Sequence, residues 1–148
     1  MASAGTVLLV DDQPENLELL AAALRPLGFE VWPARDGPAA LEIVAARLPD
    51  VVLLDVMMPE MDGFEVCRRL KAAAETRLVP VVFVTGLDSR EARLQGLDAG
   101  ATDFLSTPVD LTELEVRVRN LVSFRRLTEE LDSAEQTLFA IARAVEAR

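Results

Sequence analysis

Short apolar runs alternate along the chain with longer segments in which apolar residues recur at helical spacing. The runs lie at residues 6–10, 29–32, 51–54, 80–84 and 101–105, and they predict five strands. The run at 51–54, VVLL, is apolar without interruption, which is typical of a strand covered on both faces of a parallel sheet. The run at 29–32 is more polar and is expected nearer an edge. Strands that alternate with helices predict an α/β fold with helices on both faces of the sheet.

Turn and capping residues delimit the helices between these strands. Gly28 is expected to end the first helix, because glycine readily adopts the backbone conformation that closes a helix. Asp88 with Glu91, and Asp110 with Glu113, have the three-residue spacing of a capping box and predict the starts of the last two helices. The helix that follows residue 63 is expected to run to about residue 74.

The last helical segment changes its apolar pattern near residue 122. Beyond that point apolar residues are spaced alternately by four and three, which is the narrow stripe of a coiled coil. The pattern predicts a globular domain over residues 1–122, a helical extension over residues 123–148, and a homodimer formed through residues 124–148. An amphipathic helix folded onto its own domain is the alternative, because barely three heptads are short for a coiled coil. The stripe consists of Leu127, Leu131, Ala134, Leu138, Ile141 and Val145.

Composition narrows the possible functions. The chain has 148 residues, of which 51% are hydrophobic, enough for one domain with a core. Fifteen basic against 25 acidic residues leave a formal charge of −10, so nucleic acid is not an expected partner, since phosphate binding depends on clustered Lys and Arg. The single cysteine fits a reducing compartment. With no 18-residue apolar run and no signal-peptide pattern at residues 1–6, we expect a cytoplasmic protein that does not bind membranes.

Oxygen-bearing side chains follow three of the predicted strands. Asp11 and Asp12 come after the first strand, Asp55 after the third, and Thr85 at the end of the fourth. Carboxyl ends of parallel strands share one edge of the sheet, so these side chains should lie together. A lone acid there is usually a turn or a helix cap. Three carboxylates repel one another unless a cation neutralises them, and an all-oxygen ligand set favours Mg²⁺. The chain contains no histidine, the commonest general base.

Four segments, LLVDDQ, LLDVMMPEMDGFE, VVFVTG and GATDFLSTPVD, occur in an order that resembles the receiver domain of bacterial two-component response regulators. The resemblance covers residues 6 to about 122. It implies a flavodoxin-like fold, a doubly wound five-stranded parallel sheet with the strand order 2-1-3-4-5, followed here by the extended C-terminal helix. It also implies a regulatory module of a phosphorelay rather than an enzyme, with a sensor histidine kinase as its partner.

The resemblance also implies roles for individual residues. Asp55 corresponds to the phosphoacceptor. Asp12 would bind Mg²⁺ directly and Asp11 mainly through water, with Asp55 and the backbone carbonyl of Met57 as further metal ligands. Two switch positions of the family, a hydroxyl that moves towards the phosphoryl group and an aromatic residue on the fifth strand, correspond to Thr85 and Phe104.

One position departs from the family pattern. Receivers ordinarily have a lysine before the proline that follows the fifth strand, and here that position is Thr107. The only lysine, Lys71, lies in the helix that leads away from Asp55. The favoured hypothesis is a phosphoacceptor with a weakened charge clamp, because the acids and Thr85 are present. The alternative is a phosphorylation-independent module for dimerisation or interaction. A hydrolase comes third, since the Asp55 loop has no second catalytic acid.

The final segment, LFAIARAVEAR, resembles the lead-in to an HD-GYP domain, a cyclic-di-GMP phosphodiesterase. None of the catalytic residues of that domain is in the sequence. The resemblance therefore implies that this chain is a regulatory piece of a longer protein whose output domain lies beyond it.

Overall fold

A computed structural model describes residues 3–147. The first two residues of the predicted domain 1–122 and the last residue of the predicted extension 123–148 lie outside the described part. The strands are β1 (Gly5–Val10), β2 (Phe29–Ala34), β3 (Val51–Leu54), β4 (Val81–Thr85) and β5 (Asp103–Ser106). The α-helices are α1 (Pro14–Leu24), α2 (Gly37–Ala46), α3 (Gly63–Ala72), α4 (Arg90–Asp98) and α5 (Leu111–Glu146). A 3₁₀ turn, Arg25–Leu27, follows α1 and closes at Gly28, whose φ of 96° is left-handed.

The five strands form one parallel sheet in the order β2-β1-β3-β4-β5. This confirms the predicted flavodoxin-like α/β fold with a long C-terminal helix. The chain moves from β1 to one edge and then returns past β1 to the other side. In sheets of this kind the crevice for ligands opens at the carboxyl ends of the strands where the order reverses, here between β1 and β3.

Side chains that alternate between the two faces of the sheet form two apolar layers. One layer lies beneath α2, α3 and α4 and includes Leu54 and Phe83. The other lies beneath α1 and α5 and includes Leu53 and Val82. All four residues of β3 are at most 1% exposed, which explains why that run contains no polar residue.

Several element boundaries differ from the predictions. The edge strand β2 continues through Pro33 to Ala34, which is compatible with an edge because proline lacks only the N–H that would face away from β1. Strand β5 begins at Asp103 rather than residue 101, and α3 ends at Ala72. Among residues 3–147, no helix is both long and apolar enough to cross a bilayer.

The two predicted capping boxes have different outcomes. Asp110 caps α5 as predicted, because its Oδ1 accepts hydrogen bonds from the amides of Thr112 and Glu113. The prediction for Asp88 is wrong: Ser89 caps α4, with its Oγ accepting from the Ala92 amide at 3.0 Å. The Asp88 carboxylate instead pairs with a side chain of α4.

Helix α5 is continuous over 36 residues and has two different surroundings. Its first half packs on the sheet through Leu114, Val118 and Val122, which are at most 3% exposed. Residues 129–147 are all exposed and do not fold back onto the domain. The apolar stripe of α5 therefore projects from the domain, with Leu131 62% and Leu138 68% exposed.

Candidate functional site

Three carboxylates meet at the carboxyl edge of the sheet. Asp11 follows β1 and Asp55 follows β3, and the Asp55 amide donates to the Val10 carbonyl at 2.9 Å, which holds the two strand ends side by side. One carboxylate oxygen from each of Asp11, Asp12 and Asp55 lies within 4.8 Å of the others. The structure thus brings together the three acids that the sequence singled out.

Hydrogen bonds fix two of these carboxylates. Asp11 accepts from the Gln13 amide at 2.9 Å and from Asn16 Nδ2 at 3.1 Å, so both of its oxygens are engaged. Asp55 accepts from the Val56 amide through Oδ1 at 2.9 Å. Asn16 was not predicted as a site residue. Its position in the first turn of the helix that follows Asp11 and Asp12 could have indicated that its side chain reaches them.

Burial and mutual repulsion disfavour the ionised forms of Asp11 and Asp55 and so raise their pKa values. Burial is the main cause that raises the pKa of Asp55, and the nearby Asp12 charge adds to it, while the Thr85 hydroxyl and the Val56 amide oppose the rise. Burial likewise raises the pKa of Asp11, with a contribution from the Asp55 charge. A divalent cation would offset this repulsion, and the all-oxygen donor set suits magnesium.

The fourth predicted metal ligand is the backbone carbonyl of Met57. None of the hydrogen bonds within residues 3–147 uses this oxygen, so it is available to a cation. The Met57 side chain is 66% exposed at the rim of the site. The residues present therefore fit the predicted magnesium ligand set.

A cleft of about 450 Å³ opens beside Asp55 between α1 and the loop that follows β5. Asp11, Thr85 and Thr107 contribute polar groups to its lining, and none of its lining residues is basic. The Thr107 amide donates to the Thr85 carbonyl at 2.9 Å, which joins the ends of β4 and β5. Lys71 lies at the opposite edge of the sheet, where its ammonium donates to the carbonyl of Val79, before β4.

The two predicted switch residues lie on neighbouring strands. Thr85 Oγ1 accepts from the Leu87 amide at 3.2 Å. Phe104 is 7% exposed, and its ring centroid is 5.9 Å from that of Phe83, which in turn is 5.3 Å from that of Phe64. An aromatic row therefore runs from α3 through β4 to β5, two residues below the strand ends at which the site lies.

Close backbone contact holds the loop between β3 and α3 over Asp55. The Gly63 amide donates to the Val56 carbonyl at 2.8 Å. A Cβ atom at residue 63 would lie 2.2 Å from the Asp55 carbonyl oxygen, well inside van der Waals contact. Only glycine fits this position without movement of the phosphoacceptor candidate.

Gly63→Ala should therefore lower the free energy of unfolding by about 2 kcal/mol or more, as overpacking against rigid backbone does. The matched control is Gly86→Ala, whose Cβ would be 3.3 Å from the Thr107 hydroxyl; we expect that change to cost less than half as much. Urea denaturation followed by circular dichroism measures both. Equal midpoints for Gly63→Ala and the unsubstituted protein would contradict the close approach.

Comparisons with known proteins agree with this architecture. The family model described as "Response regulator receiver domain" matches residues 7–119. Response regulator PleD of Caulobacter vibrioides is 51% identical over 129 residues, which are 87% of this chain and 28% of that protein. Response regulator MprA of Mycobacterium leprae is 42% identical over 136 residues, 92% of this chain and 58% of that protein. The chain thus spans less than two thirds of the length of these relatives.

A solved structure supports the same relationship. The BeF3-activated N-terminal receiver domain of RstA from Klebsiella pneumoniae superposes with a TM-score of 0.73 at 33% sequence identity. The alignment covers 79% of this chain and 97% of that domain.

Proposed function

The chain belongs to the family of response regulator receiver domains, and from this we propose that it accepts, in the cytoplasm, a phosphoryl group on Asp55 from a sensor histidine kinase. The observation that supports the proposal best is the convergence of Asp11 and Asp12 on Asp55, with one carboxylate oxygen of each within 4.8 Å. In this proposal the module is regulatory rather than an enzyme, because phosphorylation changes the conformation of the module itself.

In the proposed reaction an Asp55 oxygen attacks the phosphorus of a phosphohistidine. The new O–P bond forms as the N–P bond breaks, and the imidazole nitrogen leaves with the electron pair. The Val56 amide holds Oδ1, which leaves Oδ2 to act as the nucleophile. Such transfers depend mainly on positioning and on neutralising charge.

We propose that magnesium binds to Asp12, to Asp55 and to the Met57 carbonyl, with Asp11 acting mainly through water. The two hydrogen bonds that already engage Asp11 favour this indirect role. When bound, the ion neutralises charge on the acids and the incoming phosphoryl group. The residues of the chain orient the nucleophile and form the cleft through which the donor enters.

We propose that the signal passes from Asp55 through Thr85 and Phe104 to the C-terminal helix α5. An acyl phosphate carries roughly two negative charges in place of the single charge of the carboxylate, and it has three strong acceptors. The Thr85 hydroxyl already lies near enough to Asp55 to lower the pKa of that carboxyl. It can donate to one of these acceptors, since its oxygen serves the Leu87 amide as an acceptor and keeps its own proton to donate. Phe104 lies on β5 next to the strand that ends at Thr85, so a shift of that strand end reaches its ring.

A phosphorylation-independent interaction module is the second candidate, favoured by Thr107 and by the lack of a basic residue in the cleft. Mass spectrometry after incubation with acetyl phosphate and magnesium separates the two. Addition of one phosphoryl mass supports the first function. An unmodified chain under conditions that phosphorylate another receiver supports the second.

Thr107→Lys should strengthen binding of beryllofluoride, a phosphoryl mimic, by about 1 kcal/mol, or roughly fivefold, because hydrogen bonds to charged groups contribute more than neutral ones. Thr107 is exposed, so the lysine has room and should not destabilise the fold. Fluorine NMR titration with magnesium measures the affinity, and Thr107→Gln, which adds length without charge, is the control. Equal affinities for the lysine and threonine forms would contradict the idea of a missing charge clamp.

We further propose that two chains associate through residues 124–148, of which residue 148 lies outside the described part, and that residues 1–122 act as the receiver and 123–148 as the connection to an output domain. The exposed stripe of α5 supports this assembly. The likeness of the last residues to the lead-in of an HD-GYP domain stays a prediction, and so does a phosphodiesterase as the output.

A further inference from the structure

The guanidinium of Arg93 joins helix α4 to the loop after β4 and to strand β5. Its Nε donates to Asp88 Oδ1, in the loop after β4, at 2.6 Å. Its Nη2 donates to Ser106 Oγ, at the end of β5, at 3.0 Å. Its Cζ lies 5.3 Å from the centroid of the Phe104 ring, within the range of a cation–π contact. We call Asp88, Arg93, Phe104 and Ser106 the Arg93 cluster.

The Arg93 cluster restricts the Phe104 ring from its outer side. On the inner side the ring packs against Phe83. A Cβ at Gly96, one turn after Arg93 on α4, would lie 3.2 Å from the rings of both phenylalanines. Helix α4 therefore contacts Phe104 closely at Gly96 and covers it with Arg93, so the ring cannot turn outward unless Arg93 moves.

The same cluster is connected to Thr85 through a short piece of backbone. Thr85 Oγ1 accepts from the Leu87 amide, and Asp88 is the next residue. Thr85 and Ser106 are also direct partners in the register of β4 and β5. Thr85 already lies beside Asp55. If a phosphoryl group on Asp55 draws the hydroxyl further towards its oxygens, the Leu87 amide loses its acceptor, and the segment that positions Asp88 against Arg93 is released.

We propose that the Arg93 cluster is a latch that holds the unphosphorylated conformation, with Arg93 as the positioning residue that restrains Thr85 and Phe104. This proposal rests on the proposed phosphoacceptor function. Contacts that exist in one of two states stabilise that state, so a ligand that favours the other state binds more weakly while they are intact.

The position of Arg93 distinguishes this role from that of a substitute for the missing lysine. Thr107 lines the cleft that contains Asp55, and Arg93 does not. Arg93 contacts Phe104 and Ser106 of β5. Side chains alternate along a strand, so these two face the side of the sheet opposite to that of Leu105 and of Thr107, the residue that follows the strand. The pKa of Asp88 is lowered mainly by its hydrogen bond with Arg93. The charge of Arg93 is therefore already paired with the Asp88 carboxylate.

The latch is tested by the direction in which its removal changes binding of beryllofluoride with magnesium. Arg93→Ala and Asp88→Ala should each bind it about threefold to tenfold more tightly, the range expected for an exposed ion pair together with one cation–π contact. The double variant should bind no more tightly than the better single variant, because both remove the same latch. Arg93→Lys keeps the ion pair but cannot also reach Ser106, so it should be intermediate.

Arg90→Ala is the matched control, since Arg90 lies on the same helix and makes no ion pair or side-chain hydrogen bond within residues 3–147. It should bind like the unsubstituted protein. Weaker binding by Arg93→Ala would overturn the latch and identify Arg93 as the charge that assists the phosphoryl group. Unchanged binding by Arg93→Ala would also overturn it.

Hydrogen exchange in the unliganded proteins separates failure of the latch from failure of the proposed function. Arg93→Ala should speed exchange of the Leu87 amide, whereas Arg90→Ala should not. If no form of the protein, including Thr107→Lys, binds beryllofluoride, the phosphoacceptor function fails and the exchange result alone decides on the latch. Unchanged exchange at Leu87 in Arg93→Ala would then overturn it.

Discussion

Asp55→Asn should leave the chain without a phosphoryl group after incubation with acetyl phosphate and magnesium, while the unsubstituted protein gains one. The amide has nearly the shape of the carboxylate, but it lacks the negative charge and the nucleophilic oxygen that phosphoryl transfer requires. We expect loss of essentially all of the modified species in intact-mass spectra. Peptide mapping of the unsubstituted protein should place the modification within β3 and the loop that follows it.

Asp12→Ala should give nearly the same loss by a different route, because it removes a ligand that Mg²⁺ would contact directly. Its defect should be partly reversed at high magnesium concentration, and that of Asp55→Asn should not be. Asp62→Asn is the matched control: Asp62 lies in the same loop and caps α3, and asparagine caps helices about as well as aspartate. Modification that persists in Asp55→Asn would move the phosphoacceptor elsewhere.

Removal of the negative charge at Asp55 or at Asp12 should also stabilise the magnesium-free protein against unfolding. Asp11, Asp12 and Asp55 are crowded and partly buried, so each ionised carboxylate raises the cost of the others. The asparagine form at residue 55 should therefore have the higher melting temperature without magnesium, and the unsubstituted protein should gain more from the added ion.

The sheet and its acidic edge were accessible from the sequence because both depend on local patterns. The unbroken run Val51–Leu54 requires cover on both faces, and the acids at strand ends are placed by topology once the strands are parallel. Residues that extend a strand at an edge were harder to predict. Pro33 is a strand breaker in most settings, and only the position of β2 at the edge of the sheet makes it compatible.

The contacts around α4 could not be predicted, because they depend on which of several adjacent polar residues faces which element. Asp88 and Ser89 are both good capping residues, and the sequence alone does not choose between them. The structure uses Ser89 for the cap and Asp88 for Arg93. The bond between Arg93 and Ser106 joins residues 13 apart in the chain, so no helical or strand periodicity indicates it.

The second half of α5 differs from both cases, since its pattern is clear but no other element within residues 3–147 covers it. Over residues 129–147 every side chain is exposed, including the large apolar ones of the stripe. An isolated helix of this kind is marginally stable in water, and most helical stability in proteins comes from packing of an apolar face. The free energy of burying the stripe is therefore available to a second copy of the chain.

If two chains associate as proposed, Leu131→Asp should convert the dimer into a monomer at micromolar concentration, and Leu138→Asp should do the same. Both leucines are at one of the two core positions of the heptads, so an aspartate there would have to be desolvated without a partner, which weakens association by about 100-fold or more. Ser133→Asp adds the same charge outside the stripe and should leave the dimer intact. Sedimentation equilibrium measures all three.

Glu130→Lys should change the association in the opposite direction if the two helices are parallel. With Leu131 and Leu138 at the a positions, Glu130 and Glu135 occupy flanking g and e positions of successive heptads, and in a parallel pair each Glu130 faces Glu135 of the other chain. Two such repulsions weaken the dimer, and a lysine at residue 130 replaces each with an attraction. We expect dimerisation several-fold tighter, an effect that high salt should reduce, because screening weakens exposed charge pairs. If Glu130→Lys leaves the association constant unchanged while Leu131→Asp abolishes the dimer, the helices pair in the antiparallel sense. A monomeric unsubstituted protein would instead leave the stripe of α5 to a partner other than this chain.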